Sequence, residues 1–509
     1  MQYDRRGLAP VLLILVSALA PAGCQFSMKG LDQAQLYGAE SHPAPQIAVP
    51  EGFRAVRIVQ GLDYPSAIAF DDSGRLYVLE SHTVPVPLTQ RRILKVVGEH
   101  LEEVKLEGAA APTGEIAVGL TFHEGWLYFS HEEKDGTFGI SRVRPAGGPV
   151  EAVLRGLPTH GDHDVNYLVF DRQGTLYFGL GSVTNSGVVS SHDPVNAKWL
   201  KAHGQAREIP CRDIVLTGQT FTEPNALTSD GDDKASSGAY QPYGKSGATR
   251  VAGEGLCTGA IYALPRGATR PRLVAWGFRN PVALALDGED RLYVGMHGAD
   301  IRSTRPVRDD PDAVYRVQEG AWYGWPDYSA ALIPLTDPRY QPPAKYFAEG
   351  HRGLAFVIDH AKSGLRLADP SLLVAATKPH AALGGMTFVP ARGPFARWAG
   401  QLLISEMGDF KPTTDAETAD DRAGFQVEAV DVAAKRVTVF ARNRGQGPAQ
   451  PASHLDLQEA FERPVDVKFG PDGLVYVLDF GVFSPTAKSA KVMPKTGKVF
   501  RIEPARAAS

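Results

Sequence analysis

Residues 159–167 read THGDHDVNY and place His160, Asp162, His163 and Asp164 within five positions. Imidazoles beside carboxylates ligate cations, exchange protons as an acid/base pair, or cap the end of a strand. The stretch lacks the i, i+4 helical pair of a HExxH zinc site, and SDGDD at 229–233 is too short for an EF-hand loop. No GxGxxG unit follows a strand, and there is no Walker loop, no GxSxG elbow and no CxxCH. Which use applies depends on the elements that carry the stretch.

Those elements are repeats. One phrase recurs six times: apolar residues, a turn with Gly or Asp, then Leu-Tyr-Val or an equivalent. It runs from Tyr64 (YPSAIAFDDSGRLYVLES), Ile116, Asp164 (DVNYLVFDRQGTLYFGLGS), Asn280 (NPVALALDGEDRLYVGMHG), Ala382 and Arg463 (RPVDVKFGPDGLVYVLDFG). Each copy reads as two strands around a tight turn, and a further strand such as RRILKVV or GAIYALP follows most of them. A solenoid would have shorter, more regular repeats. The pattern therefore predicts an all-β chain, a six-bladed β-propeller with long loop insertions on one face. The strand FRAVRIVQGL, 53–62, is expected to pair with C-terminal strands and close the ring.

Outside the repeats, residues 1–23 read as a lipoprotein-type signal peptide. Arg5 and Arg6 precede an apolar run from Leu8 to Ala20, and Pro-Ala-Gly leads into Cys24 as the lipidation site. Residues 24–49 read as a tether and 50–506 as the propeller. The expected location is the bacterial cell envelope, with membrane contact only through the lipid anchor. Cys211 and Cys257 then remain as a pair for an oxidising compartment and would staple an insertion spanning about 186–258. A formal net charge of −4 argues against a nucleic-acid partner, which a basic face would accompany.

In a propeller the segment before each inner strand emerges at one end of the central channel. Reading back from Phe70, Phe122, Phe170, Leu286, Phe388 and Phe469 gives a rim of Asp63, Tyr64, Gly114, Glu115, Asp162, His163, Arg279, His380 and Arg463, with Asn280 next to Arg279. His160 and Asp164 fall to the loop and strand edge. Converging arginines, histidines and carboxylates make the polar cluster a concave site needs.

With this rim in place, the chain resembles the PQQ-dependent sugar dehydrogenases, the glucose/sorbosone dehydrogenase family. The resemblance rests on DHDVNYLVFDRQGTLYFGLGSVTN (162–185), GFRNPVALAL (277–286) and WYGWP (322–326), within a similarity spanning roughly 50–505. It implies His163 as general base toward an aldose sugar or related aldehyde, with hydride passing to PQQ. Asp162 and Arg279 would share the catalytic site. Arg279, Asn280, Arg463 and Lys411 would hold PQQ, and the carbonyls of Gly298 and Ala299 a Ca²⁺. The electron acceptor is not implied. The sequence departs from the pattern at four places: Gly408 stands where a lysine is expected, Val465 for a second arginine, Gly114 for a glutamine, and Ser182 for the carboxylate that orients the base. Two other readings stay open: a non-catalytic envelope propeller binding carbohydrate or protein, and a Ca²⁺-dependent lactonase-like hydrolase using Glu115, Asn166, Asn280 and Asp466.

Overall fold

The computed structural model describes residues 41–81, 91–108, 116–159, 161–191, 197–411, 422–485 and 490–505. The signal segment, Cys24, His160, Gly114 and Glu115 lie outside them.

The chain forms a six-bladed β-propeller. The inner strands are Pro65–Phe70, Ala117–His123, Val165–Phe170, Asn280–Leu286, Leu383–Phe388 and Pro464–Phe469. Each pairs antiparallel with its following strand, and two more strands complete each blade. The ring closes as the sequence predicts: Phe53–Leu62 pairs antiparallel with Gly497–Pro504 and becomes the outermost full strand of the sixth blade.

The recurring phrase has a local cause. In the turns at Asp71, Asp171 and Asp287, the carboxylate accepts backbone N–H groups two and four residues on. The tyrosine of the next strand reaches back to the same carboxylate in the first and third blades, as Tyr77 does to Asp71 and Tyr177 to Asp171. In these copies one Asp sets the turn, and in the first and third blades one Tyr pins the hairpin to it. The apolar runs between them are buried on both faces because each blade packs against two others.

The last part of the segment read as a tether is built into the ring. His42–Pro43 extends the sixth blade and Ile47–Ala48 extends the fifth. Ala44 and Ile47 are buried in the core between those blades, which is why this end is folded rather than free. The Cys211–Cys257 disulfide is present and closes a separation of 46 residues. It ties the insertion, which carries two small two-stranded sheets, to the start of the third blade's Ala260–Leu264 strand.

Candidate active site at the channel mouth

The site is assembled from two kinds of connection at one end of the channel. Segments entering the inner strands supply Asp162, His163, Arg279 and His380. Segments leaving the second strands supply Ser182, Asn185, Asp300 and Arg302. The GFRNP and WYGWP motifs brace each other there. A side chain at Gly277 would strike the Trp322 indole, Trp325 N–H donates to the Gly277 carbonyl, and the Trp325 indole N–H donates to the Asn185 carbonyl at 3.3 Å.

Two carboxylates and two guanidiniums form a closed ring of alternating charge. Arg302 binds Asp162 at 2.5 Å and Asp300 at 2.9 Å. Arg279 binds Asp300 at 2.9 Å and Asp162 at 3.5 Å. Arg279 also donates to the carbonyl and carboxamide oxygens of Asn185, which leaves Nη1 without a hydrogen bond among the described residues. Burial alone would raise both carboxyls. Arg302 leads the charges that hold Asp162 below its ordinary value, and Arg279 leads those that hold Asp300 well below.

A histidine sits at each end of this ring. His163 Nδ1 lies 3.0 Å from the Ser182 carbonyl and 3.1 Å from Ser182 Oγ. The carbonyl only accepts, and Oγ already donates its proton to the Thr184 carbonyl at 2.7 Å. Nδ1 must therefore carry the proton, and neutral His163 presents its lone pair at Nε2, 3.4 Å from Asp162. Burial pushes its pKa down to about 3, against the charge of Asp162. Gly181 makes the position possible, since a Cβ there would lie 2.3 Å from that of His163.

His380 projects from a tight turn with φ 65° and donates Nδ1–H to Asp300 at 3.1 Å. Its Nε2 is buried without a partner. Burial lowers its pKa, but the hydrogen bond and charge of Asp300 outweigh it and the net shift is upward.

The remaining expected residues divide. Arg463 does not face this cluster. It is fully buried and donates to the carbonyls of Met407, Gly408, Asp409 and Phe483, among the rings of Phe410, Phe425 and Phe483. Burial lowers even its pKa, to about 10. Its role is to fasten the fifth blade's loop to the sixth, because every guanidinium nitrogen already has a carbonyl. Asn280 is likewise engaged: its carboxamide oxygen accepts from Asn166 at 2.7 Å and its nitrogen meets His297 at 3.1 Å. Asn166 and Asn280 thus satisfy each other rather than converge on a cation, and Asp466 accepts Ile68 N–H and pairs with Lys468. Lys411 is buried beside Asp409, close enough for its charge to act on His380. The N–H groups of Gly298 and Ala299 donate to Asp312 and Asp310, while their carbonyls accept no hydrogen bond from the described residues.

Asp300, Arg302 and Asn185 are the residues the rim reading passes over, Arg302 having no assigned role there. The signal was present. HGAD follows the fourth blade's second strand as GLGS follows the third's, and second strands end at the same mouth. Gly408 shows why a lysine is missing: its φ is 89°, and a side chain there would enter the Phe425 ring at 2.4 Å.

No protein-family model and no curated protein sequence matches the chain. Solved structures do. The calcium structure of a family AA12 carbohydrate-active enzyme from Trichoderma reesei is 16% identical, covering 91% of this chain and 98% of that one, with a TM-score of 0.50. The PQQ-bound aldose sugar dehydrogenase of Streptomyces coelicolor is 14% identical over 91% and 98%, at 0.44. A gluconolactonase of Xanthomonas campestris is 12% identical over 91% and 97%, at 0.39. The latter two superpose too loosely to carry an argument, and at such identities the likeness is one of fold. The chain shares the six-bladed propeller architecture of the Trichoderma enzyme.

Proposed function

We propose that the channel mouth oxidises an aldose sugar or a related aldehyde, with His163 as the proton acceptor; the hydride goes to an acceptor of the quinone class held otherwise than the resemblance lays out PQQ. The observation that carries this reading is the fixed tautomer of His163. A general base needs a lone pair aimed at the substrate hydroxyl, and Ser182 forces that lone pair onto Nε2. The proton taken up is stabilised by Asp162 at 3.4 Å. Arg279, with Nη1 left over, faces negative charge developing on the substrate oxygen. The buried, charge-balanced ring holds these groups without needing water to solvate them.

PQQ with Ca²⁺ is the acceptor that the resemblance implies. The carbonyls of Gly298 and Ala299 suit Ca²⁺, which takes oxygen ligands. The tricarboxylate is a different matter. Arg463 is enclosed, Arg279 and Arg302 are neutralised by Asp162 and Asp300, and position 408 has no room for a lysine. The described residues do not fit PQQ as the resemblance lays it out, so no step here runs through it. Attachment to the cell envelope through Cys24 belongs to the same proposal.

The test is calorimetric titration of the protein with PQQ, with and without Ca²⁺, followed by dye-linked oxidation of aldoses. Quinone-dependent oxidation that His163→Ala abolishes is the expected result. No quinone binding at micromolar concentration, together with hydrolysis of lactones, would overturn it in favour of a lactonase-like hydrolase.

A further inference from the structure

Asp162, His163 and Arg279 all lean on one short segment, 182–185. The Ser182 carbonyl accepts His163 Nδ1–H at 3.0 Å, and the Val183 carbonyl accepts Asp162 N–H at 3.0 Å. Asn185 accepts from Arg279 Nε and Nη2 at 3.1 and 3.0 Å. The segment belongs to no strand or helix, so no ladder fixes it, and its position depends on what holds its far side. That hold is Thr184. Its backbone N–H and its hydroxyl both donate at 2.7 Å to Oε1 of Glu208, a buried carboxyl group that comes from the disulfide-stapled insertion.

Glu208 is itself fixed from behind. Its Oε2 accepts from Thr258 Oγ1 at 2.6 Å. Thr258 N–H donates to the Ile209 carbonyl at 3.0 Å, and Ile209 N–H donates to Thr258 Oγ1 at 3.0 Å. Glu208 lies three residues before Cys211 and Thr258 one residue after Cys257, so the disulfide keeps the two segments of this contact side by side. Burial pushes the Glu208 carboxyl up to about 7, yet either protonation state keeps its hold on Thr184. A proton on Oε2 would be donated to Thr258 Oγ1, whose own proton turns to the Ile209 carbonyl 3.4 Å away, and Oε1 still accepts from Thr184.

We propose that Glu208 is a positioning residue for the channel mouth. Through Thr184 it sets segment 182–185, and with it the tautomer of His163 and the place of Arg279; the Cys211–Cys257 disulfide acts on the site through it. Its effect on turnover rests on the oxidation proposed above, while its effect on His163 does not.

The test compares Glu208→Ala and Glu208→Gln in the full chain, by ¹H–¹⁵N spectra of ¹⁵N-histidine-labelled protein and by dye-linked aldose oxidation. Glu208→Gln keeps an oxygen for Thr184 and offers its amide to Thr258 as the protonated carboxyl would. His163 should then keep its Nδ1 proton, and kcat should stay within about twofold. Glu208→Ala removes the anchor: His163 should populate both tautomers, and kcat should fall by about 10–100-fold with KM little changed. Lower stability alone would leave the tautomer of the folded protein as it is. Thr258→Val, which cuts only the Oε2 side, should shift the tautomer in the same direction and carries the test if Glu208→Ala does not fold. Cys211→Ser with Cys257→Ser should reproduce the mixed tautomer and add nothing when combined with Glu208→Ala. A His163 that keeps its single tautomer in Glu208→Ala, or in Thr258→Val where that variant stands in, would overturn the positioning role whatever the rate. An unaltered His163 in the serine pair would overturn the part given to the disulfide. A mixed tautomer in Glu208→Ala, with no sugar oxidised even by the unmodified protein, would leave the positioning role standing and remove the oxidation.

Discussion

His163 and His380 are equally buried, at 8% exposed, and hang from opposite ends of one ionic ring, yet their pKa values move in opposite directions. The difference lies in what Nδ1 meets. His163 donates to a neutral carbonyl, and the nearby Asp162 already has its charge balanced by Arg302 and Arg279. His380 donates directly to a carboxylate. Burial therefore prevails at His163 and the Asp300 partner prevails at His380. One histidine is thereby held neutral and the other is held with its proton.

The linked stability effects have opposite signs. His163 is charged in the unfolded chain below its ordinary 6.5 but not in the fold until about pH 3. Its contribution is complete above pH 6.5 and declines at about 1.4 kcal/mol per pH unit as the pH falls toward 3. The folded pKa of His380 is raised, so its contribution is complete below pH 6.5 and is lost as the pH rises through the folded value.

Removing the acceptor end has the largest expected consequence. His163→Ala should lower kcat for aldose oxidation by roughly 10²–10⁴, the usual worth of a positioned general base, read from steady-state kinetics. His163→Gln should also flatten the acid limb of stability, measured by denaturant unfolding between pH 4 and 7. Breaking the ring comes next. Arg279→Met leaves Asp162 and Asp300 with one guanidinium, Arg302, in place of two and should cost about 3–5 kcal/mol in urea unfolding. Asp300→Asn acts on one end only: the His380 pKa should fall below 6.5 while that of His163 keeps its depressed value, as followed by histidine NMR titration. Ser182→Ala should change least, because the carbonyl that fixes the tautomer remains; His163 should keep its protonated Nδ1, and kcat should stay within about twofold.

Much of this fold was legible because each repeat carries its own instructions. An Asp holds the turn in four copies, at Asp71, Asp171, Asp287 and Asp472, so Phe70, Phe170, Leu286 and Phe469 mark the ends of inner strands in the sequence as they do in space, while Phe388 is marked by its apolar run alone. Asp162, His163 and Arg279 were legible for the same reason, since the repeat places them at the mouth. Arg463 stands at an equivalent position and still turns away. Its direction is set by carbonyls 54 to 56 residues earlier and by rings from three separate segments, which no local pattern records. Asp300 and His380 meet across 80 residues, and that pairing is likewise invisible until the blades close.

The most direct test of this account is the protonation of the two histidines in ¹⁵N-histidine-labelled protein, read from long-range ¹H–¹⁵N spectra across pH. His163 should appear uncharged, with its proton on Nδ1, far below pH 6.5, while His380 stays charged above it. A His163 that titrates near 6.5, or carries its proton on Nε2, would contradict the assignment of this residue as the base.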